Sequence, residues 1–251
     1  MTDKDIGLPG LIFIPGLACD AALWQPQLAA VPAHWRAVVS AVATQEATIE
    51  AMAARLLADH AGPLALCGAS MGAMIALEAA RQAPGRVRGL AVLGSTARPE
   101  SDDMRALRLG AIDLFAQGRV REVLTANVPL AFSPQHAPEV AADLAQRYLA
   151  MIERAGAEQL IAQNRAVMAR PDARAHLPAL TCPLLVLCGQ DDQLTPPECS
   201  EELAALAPHA TSQLLPRCGH MLTWERPAAV NSALLEWLAQ LEQPRATFGL
   251  R

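Results

Sequence analysis

Short apolar runs alternate along the chain with amphipathic segments, and this alternation predicts the fold. Unbroken apolar runs are typical of parallel strands buried on both faces, and strand–helix alternation indicates right-handed crossovers. In segment 48–60, for example, the apolar residues recur at helical spacing. The pattern therefore predicts an α/β protein with a mainly parallel sheet of about six strands flanked by helices. The predicted strands cover residues 10–15, 35–42, 63–67, 86–94, 182–188 and 211–215.

The alternation is interrupted over residues 98–178, where no β-rich run occurs. Because this stretch separates two strands of one sheet, it predicts an all-helical cap (98–178) inserted into a core formed by residues 1–97 and 179–251. The predicted helices cover residues 102–117, 120–127, 138–154 and 159–170, with breaks at Gly118, Pro129, Pro134, Gly156 and Pro171.

Composition narrows the classes of function. The 251 residues carry a net charge of −5 without a basic cluster, so we expect no nucleic-acid partner and no membrane partner. The amino terminus has acids and no long apolar stretch, which predicts no signal peptide. The six cysteines include no C-x-x-C pair, so we expect no metal, no cofactor and a cytoplasmic location.

The most informative motif is Gly68-Ala69-Ser70-Met71-Gly72, a G-x-S-x-G sequence between a predicted strand and a predicted helix. In this context the motif predicts a nucleophile elbow, a strained turn that exposes the Ser70 hydroxyl above the sheet. A Cβ atom at either glycine would collide with a neighbouring strand or helix. The turn also directs the amide of Met71 toward the hydroxyl.

A serine hydroxyl needs a base, and His220 is the candidate. It follows the last predicted strand, at the same sheet edge as the elbow, whereas the other histidines occupy helix ends, proline breaks or the insertion. The acid that orients the base should follow an earlier strand. Asp191 and Asp192 both satisfy this; one would contact the imidazole and the other would cap the helix that begins near Pro196.

Together these motifs make the chain similar to the α/β-hydrolase superfamily, and within it to small bacterial carboxylesterases and enol-lactonase-like enzymes with a helical cap. The resemblance covers almost the whole chain and implies the triad Ser70, Asp192 and His220, because the family acid stands three residues after Gly189. It also implies an oxyanion hole formed by the amides of Leu17 and Met71. The resemblance rests on four motifs: Pro15-Gly16-Leu17, the elbow, Gly189-x-x-Asp192-x-x-Thr195-Pro196 and Cys218-Gly219-His220.

Departures from the family pattern qualify the resemblance. Most relatives have His-Gly where this chain has Pro15-Gly16, and some place an acid where Gly94 stands, so Gly94 cannot serve. Serine at the elbow disfavours the dehalogenase and epoxide hydrolase branches, which use aspartate. The cap would cover Ser70 and shape an apolar pocket from Leu17, Trp24, Met71, Phe132 and Met221, with ordinary core packing as the alternative for Trp24 and Phe132.

The resulting hypothesis is a serine hydrolase that cleaves a small, mostly apolar carboxylic ester or lactone through an acyl-enzyme. The same triad could instead perform C–C bond hydrolysis, thioester hydrolysis or perhydrolysis. A ligand-binding signalling module with vestigial turnover is the alternative outside enzymology. The expected partner is a small-molecule substrate, and the sequence leaves the oligomeric state open.

Overall fold

The computed structural model describes residues 8–243, and within them six strands form one parallel sheet in the order β2-β1-β3-β4-β5-β6. The chain adds β2 on one side of β1 and every later strand on the other side. This confirms the predicted α/β sheet. The strands are β1 (Gly10–Ile14), β2 (Val38–Val39), β3 (Leu64–Ala69), β4 (Val87–Leu93), β5 (Leu184–Gly189) and β6 (Ala210–Leu215).

Helices cover both faces of the sheet, because successive residues of a strand point to opposite faces and both sets are apolar. Leu11 and Phe13 of β1 join one buried cluster with α9 (Pro227–Glu242), while Ile12 and Ile14 join a second cluster with α2 (Ile49–Asp59) and α3 (Met71–Gln82). The helices that flank the sheet are α1 (Gln25–Ala30), α2 (Ile49–Asp59), α3 (Met71–Gln82), α7 (Pro197–Leu206), α8 (Leu222–Glu225) and α9 (Pro227–Glu242).

Residues 98–178, which we call the helical insertion, connect β4 to β5. The structure describes this stretch throughout and shows only helical elements in it: α4 (Asp102–Ala116), α5 (Val120–Ala131), α6 (Pro138–Met168) and the 3₁₀ helix Arg174–Ala179. Helix α6 changes direction at Gly156, which has φ 73° and ψ 172°. Most buried apolar residues of α4, α5 and α6 join the same cluster as α9, whereas Ala166 and Val167 near the end of α6 join the cluster of α2 and α3. The treatment of the insertion as a separate cap domain stays a prediction.

Two predictions of local structure were wrong. The second strand was expected over 35–42, but only Val38–Val39 pairs with β1, because Trp35 ends a 3₁₀ helix and Arg36 turns the chain at φ 47°. Pro129 was expected to break a helix, but it lies inside α5. Tertiary contacts outweigh the cost of the proline there. Ala131, the last residue of α5, is buried, and its carbonyl accepts hydrogen bonds from the loop that contains His220.

Two further expectations concern the ends of the chain. From the sequence, the two amino-terminal strands common in the family were expected to be absent or vestigial in residues 1–9, and the tail from Gln243 to Arg251 was expected to be frayed. Apart from residues 8, 9 and 243, both stretches lie outside the described residues. Among the helices described between residues 8 and 243, none combines the length and apolar character that crossing a membrane requires.

Candidate active site

Ser70 lies at the junction of β3 and α3 in a strained conformation, with φ 51° and ψ −117°. A non-glycine residue with positive φ persists only where its surroundings fix it. The backbone N–H of Ser70 donates to Leu93 O at 2.9 Å, and the buried hydroxyl of Ser95 donates to Ser70 O at 2.8 Å. Neighbouring strand β4 therefore holds the turn in the geometry that a nucleophile elbow requires.

The two elbow glycines allow the backbone to pack this closely. A Cβ atom on Gly68 would lie 2.4 Å from the backbone nitrogen of Ala73. A Cβ atom on Gly72 would lie 2.1 Å from the carbonyl oxygen of Ile14. Because backbone cannot move aside as a side-chain tip can, both positions need glycine for close approach, as the motif predicted.

The loop after β1 passes directly beside the elbow. A Cβ atom on Gly16 would lie 3.1 Å from Ala69 O and 3.3 Å from the Cβ atom of Ser70. Leu17, the next residue, lines the cavity that contains Ser70. Met71 is the first residue of α3, where backbone N–H groups have no intrahelical acceptor. The predicted oxyanion-hole residues therefore belong to the two segments that adjoin Ser70, the loop after β1 and the start of α3.

Asp192 and His220 come together at the carboxyl edge of the sheet, in the loops that follow β5 and β6. Asp192 Oδ2 lies 2.8 Å from His220 Nδ1. The hydroxyl of Thr195 donates to the same oxygen at 2.9 Å. The backbone N–H groups of Leu194 and Thr195 donate to Oδ1, each at 2.9 Å. This set of donors fixes the carboxylate and leaves His220 Nε2 for proton transfer.

Electrostatics match this arrangement. Burial by itself raises the pKa of Asp192, but the charge of His220 and the hydrogen bonds from His220 and Thr195 outweigh it, so the pKa lies below the ordinary value. Burial lowers the pKa of His220, but the charge and hydrogen bond of Asp192, with the charge of Glu225, raise the pKa above the ordinary value. The pair therefore favours a carboxylate beside a basic imidazole.

Gly94, at the end of β4, lies against this pair. A Cβ atom there would lie 3.2 Å from Asp192 Oδ2 and 3.3 Å from His220 Nδ1. The residue also has φ 51°, a conformation that side chains disfavour. A larger residue at this position would crowd the carboxylate and the imidazole.

The prediction that Asp191 caps the following helix was wrong. Helix α7 has Pro196 at its N-cap without a side-chain hydrogen bond. Asp191 Oδ2 instead accepts from the hydroxyl of Ser133 at 2.5 Å and from Gln135 Nε2 at 3.1 Å. The two adjacent aspartates thus have different tasks: Asp192 contacts the imidazole, and Asp191 fastens the helical insertion to the β5 loop.

A buried carboxylate, that of Glu225, supports the His220 loop. Both of its oxygens accept from the Gly219 N–H at 3.0 Å, and Oε1 accepts from the Met221 N–H at 3.1 Å, so the bonds flank His220 on both sides. From the insertion, Ser133 N donates to Oε2 at 2.8 Å, and His136 Nε2 lies 2.9 Å from the same oxygen. Glu225 therefore joins the histidine loop to the helical insertion.

Ser70 and His220 line one cavity of about 1060 Å³, between the sheet edge and the helical insertion. Among the predicted pocket residues, Met221 lines it, as do Leu17 and Met71. Trp24 and Phe132 do not, which corrects their placement in the pocket. Trp24 is fully buried with its ring 4.7 Å from that of Phe13, and Phe132 packs edge-on against Tyr148 at 5.5 Å.

Sequence reasoning did not single out the groups that brace this site. Thr195 stood within the quoted motif around Asp192, so its position after the acid was the available signal. Ser95 and Ser133 are ordinary residues in sequence. Glu225 follows His220 by five residues, but only the folded chain shows that its carboxylate faces the backbone of the preceding loop.

Comparisons with known proteins agree with this architecture. Residues 30–227 match the family model Hydrolase_4, described as serine aminopeptidase, S33. An esterase from Thermogutta terrifontis, solved with malate bound, is 30% identical with a TM-score of 0.82, covering 94% of this chain and 91% of that one. The enol-lactonase from Burkholderia xenovorans LB400 has the same fold at 22% identity and a TM-score of 0.82, covering 94% of both chains. RutD of Serratia proteamaculans, a proposed carbamate hydrolase, is 29% identical over 95% of this chain and 94% of its own length. The chain therefore belongs to the Hydrolase_4 family of the α/β-hydrolases.

Proposed function

We infer that this hydrolase cleaves a small, mostly apolar carboxylic ester or lactone through an acyl-enzyme. Ser70 is the nucleophile, His220 the general base and Asp192 the residue that orients the base. The amides of Leu17 and Met71 form the oxyanion hole. The observation that carries the proposal is the 2.8 Å contact between Asp192 and His220, at a cavity shared with a serine on a strained elbow.

The order of steps follows from these positions. His220 Nε2 takes the proton of Ser70 as the hydroxyl attacks the substrate carbonyl, and Asp192 stabilises the imidazolium that forms. The amides of Leu17 and Met71 donate to the oxyanion, whose charge develops beside the positive end of α3. The imidazolium then protonates the leaving alcohol. A water molecule, activated by the same imidazole, releases the acid.

The apolar character of the cavity supports a small apolar substrate, since Leu17, Met71 and Met221 lie next to the proposed reacting groups. The names of the relatives support carbonyl chemistry, because an esterase, an enol-lactonase and a proposed carbamate hydrolase all act at an acyl carbon. Esters and lactones share one addition step at the carbonyl, so a single site can act on both.

The test is hydrolysis of p-nitrophenyl butyrate by the wild-type chain and by Ser70→Ala. We expect kcat/KM to fall by about 10⁴-fold or more, because the oxyanion hole without a nucleophile retains little activity. Ser212→Ala is the matched control, because Ser212 is exposed on β6 and should retain wild-type activity. Unchanged activity in Ser70→Ala would refute the assignment.

A fluorophosphonate probe separates an enzyme from a ligand-binding module. Rapid labelling of the wild-type chain, absent in Ser70→Ala, is expected if the serine is activated by His220. A folded wild-type chain that neither reacts with the probe nor hydrolyses esters would favour the binding module. Including a p-nitrophenyl carbamate in the substrate panel tests the chemistry that the name of the RutD relative suggests.

A further inference from the structure

One wall of the cavity carries charge that the proposed acyl-transfer chemistry does not use. The described lining contains three arginines, Arg98, Arg108 and Arg170, and one carboxylate, Glu100. The chain as a whole carries a net charge of −5, so the cationic wall does not follow from composition. Clefts lined by charge of one sign attract ligands of the opposite sign.

The charges of this wall do not balance. Arg98 is paired outside the lining, because its Nε atom donates to Glu202 at 2.7 Å. Arg108 Nε and Arg170 Nη1 both donate to one oxygen of Glu100, at 2.7 Å and 2.8 Å. In the described part of the chain no second carboxylate pairs with Arg108 or Arg170. Two guanidinium groups therefore share a single negative charge, which leaves one positive charge in the wall.

This charge is partly shielded from water and is held in place. The side chains of Arg170 and Glu100 are 7% and 2% exposed, and that of Arg108 is 24% exposed. Arg108 Nη1 donates to Asn164 Oδ1 at 2.8 Å, and Asn164 is itself fixed by a bond to Leu160 O at 2.8 Å. Partial burial removes part of the water that would solvate the excess charge, and an anionic ligand that pairs with it would offset that cost.

The surroundings indicate which anion fits. Arginine binds carboxylates and phosphates through paired N–H groups. A single excess positive charge matches a carboxylate, whereas a phosphate dianion would leave excess negative charge in the wall. The cavity that Arg108 lines is also lined by apolar residues such as Leu107, Leu114 and Leu124. A carboxylate at the end of an apolar chain satisfies both features.

We propose that the substrate is an ester or lactone that carries a second, free carboxylate group, and that Arg108, held by Glu100 and Asn164, binds this group. The inference rests on the proposed function, because the same cavity must contain the reacting carbonyl. Arg170 completes the wall by holding Glu100, while its Nε atom donates to Arg98 O at 2.9 Å. The alternative is that the arginine–glutamate cluster only joins α4 to the end of α6.

The experiment compares two matched series of substrates. One contains the p-nitrophenyl half-esters of glutarate, adipate, pimelate and suberate, and the other the methyl-ended esters of equal acyl length. The readout is the ratio of kcat/KM for the carboxylate ester to that for its neutral partner. For the wild-type chain we expect this ratio to exceed about tenfold at one acyl length, since a hydrogen bond to a charged group is stronger than one between neutral groups.

Substitution of Arg108 then locates the effect. Arg108→Gln should lower the ratio by about tenfold to a hundredfold, and Arg108→Lys should restore part of it by keeping the charge. Arg55→Gln is the control, because this substitution removes the same charge from a residue outside the lining. Arg55 is 48% exposed on α2 and is paired with Asp59 at 2.8 Å. It should leave the ratio unchanged.

Three results would contradict the proposed role of Arg108, and they can be told apart. A wild-type chain that hydrolyses neutral esters but prefers no carboxylate ester would overturn this inference alone, whether or not the Arg108 variants fold. A fall in both series with an unchanged ratio in Arg108→Gln would assign the cluster a structural role only. Absence of turnover of both series would overturn the proposed function and this inference with it.

Discussion

The sheet edge and the helical insertion are built by different means. At the sheet edge backbones pack against each other, so that a Cβ atom on Gly189 would lie 2.1 Å from Gly219 O. In the insertion, Gly110 has no atom within 4 Å of the place where a Cβ would stand, and Leu107 is 67% exposed. The first region fixes distances between the proposed reacting groups, whereas the second tolerates new side chains and so can set which substrate fits.

The largest effect on activity should come from substituting Asp192, with the same substitution of the adjacent Asp191 as the comparison. Asp192→Asn is expected to lower kcat by about 10⁴-fold, because an amide favours the wrong tautomer of His220. Asp191→Asn is the matched control at the neighbouring position and should stay within a few-fold of wild type, since Asp191 contacts Ser133 and Gln135. Steady-state kinetics with p-nitrophenyl butyrate measures both; equal losses would contradict the division of tasks.

Stability should show the same contrast between the two regions. Gly68→Ala places a Cβ atom 2.4 Å from backbone, and we expect it to lower the free energy of unfolding by at least about 3 kcal/mol. Gly110→Ala meets open space within α4 and should raise the free energy of unfolding by about 0.5–1 kcal/mol. Denaturant unfolding followed by circular dichroism measures both. Similar values for the two variants would show that the regions are equally constrained.

A smaller effect on activity is expected at Glu225, where the sheet edge and the helical insertion meet. Glu225→Gln should lower kcat/KM by about tenfold to a hundredfold, because one charged acceptor is lost to Gly219, Met221 and Ser133. The variant should also shift the pH profile. A general base works when neutral, so activity rises with pH through the pKa of His220, which lies above the ordinary histidine value.

The direction of that shift follows from charge. Glu225 is one of the groups that raise the pKa of His220, so its neutralisation should move the acid limb of kcat/KM to lower pH. Glu236→Gln is the control, because Glu236 is exposed on α9 and the substitution removes the same charge. A loss of activity without a moved limb would limit Glu225 to a structural role.

The fold could be predicted because it depends on local periodicity. The elbow, the six apolar runs and the long helical gap between β4 and β5 are all visible as patterns in the sequence, and the structure confirms the sheet. Where tertiary contact overrides local preference, prediction was wrong. Pro129 is tolerated within α5 because α5 must continue to Ala131, and the second strand shrinks because Arg36 turns the chain.

The candidate site divides in the same way. Ser70, Asp192 and His220 stand in motifs that local spacing reveals, and the structure brings Asp192 and His220 into contact. Contacts between distant parts of the chain leave no such trace. Ser133 and Asp191 are 58 residues apart, and nothing in either neighbourhood indicates that they meet. For the same reason the sequence around Trp24 does not distinguish a core position from a pocket position, because the ring that Trp24 packs against, that of Phe13, lies in another element.

The carbonyl of Ala131, at the end of α5, accepts hydrogen bonds from the N–H groups of both His220 and Met221, at 2.9 Å and 3.3 Å. By position in the chain Ala131 belongs to the insertion, but by these bonds it belongs to the proposed catalytic apparatus. Transplanting the insertion from another family member would therefore displace the proposed general base, His220, unless these two hydrogen bonds were kept. Evolution of new specificity is free to reshape α4, while the end of α5 must remain as it is.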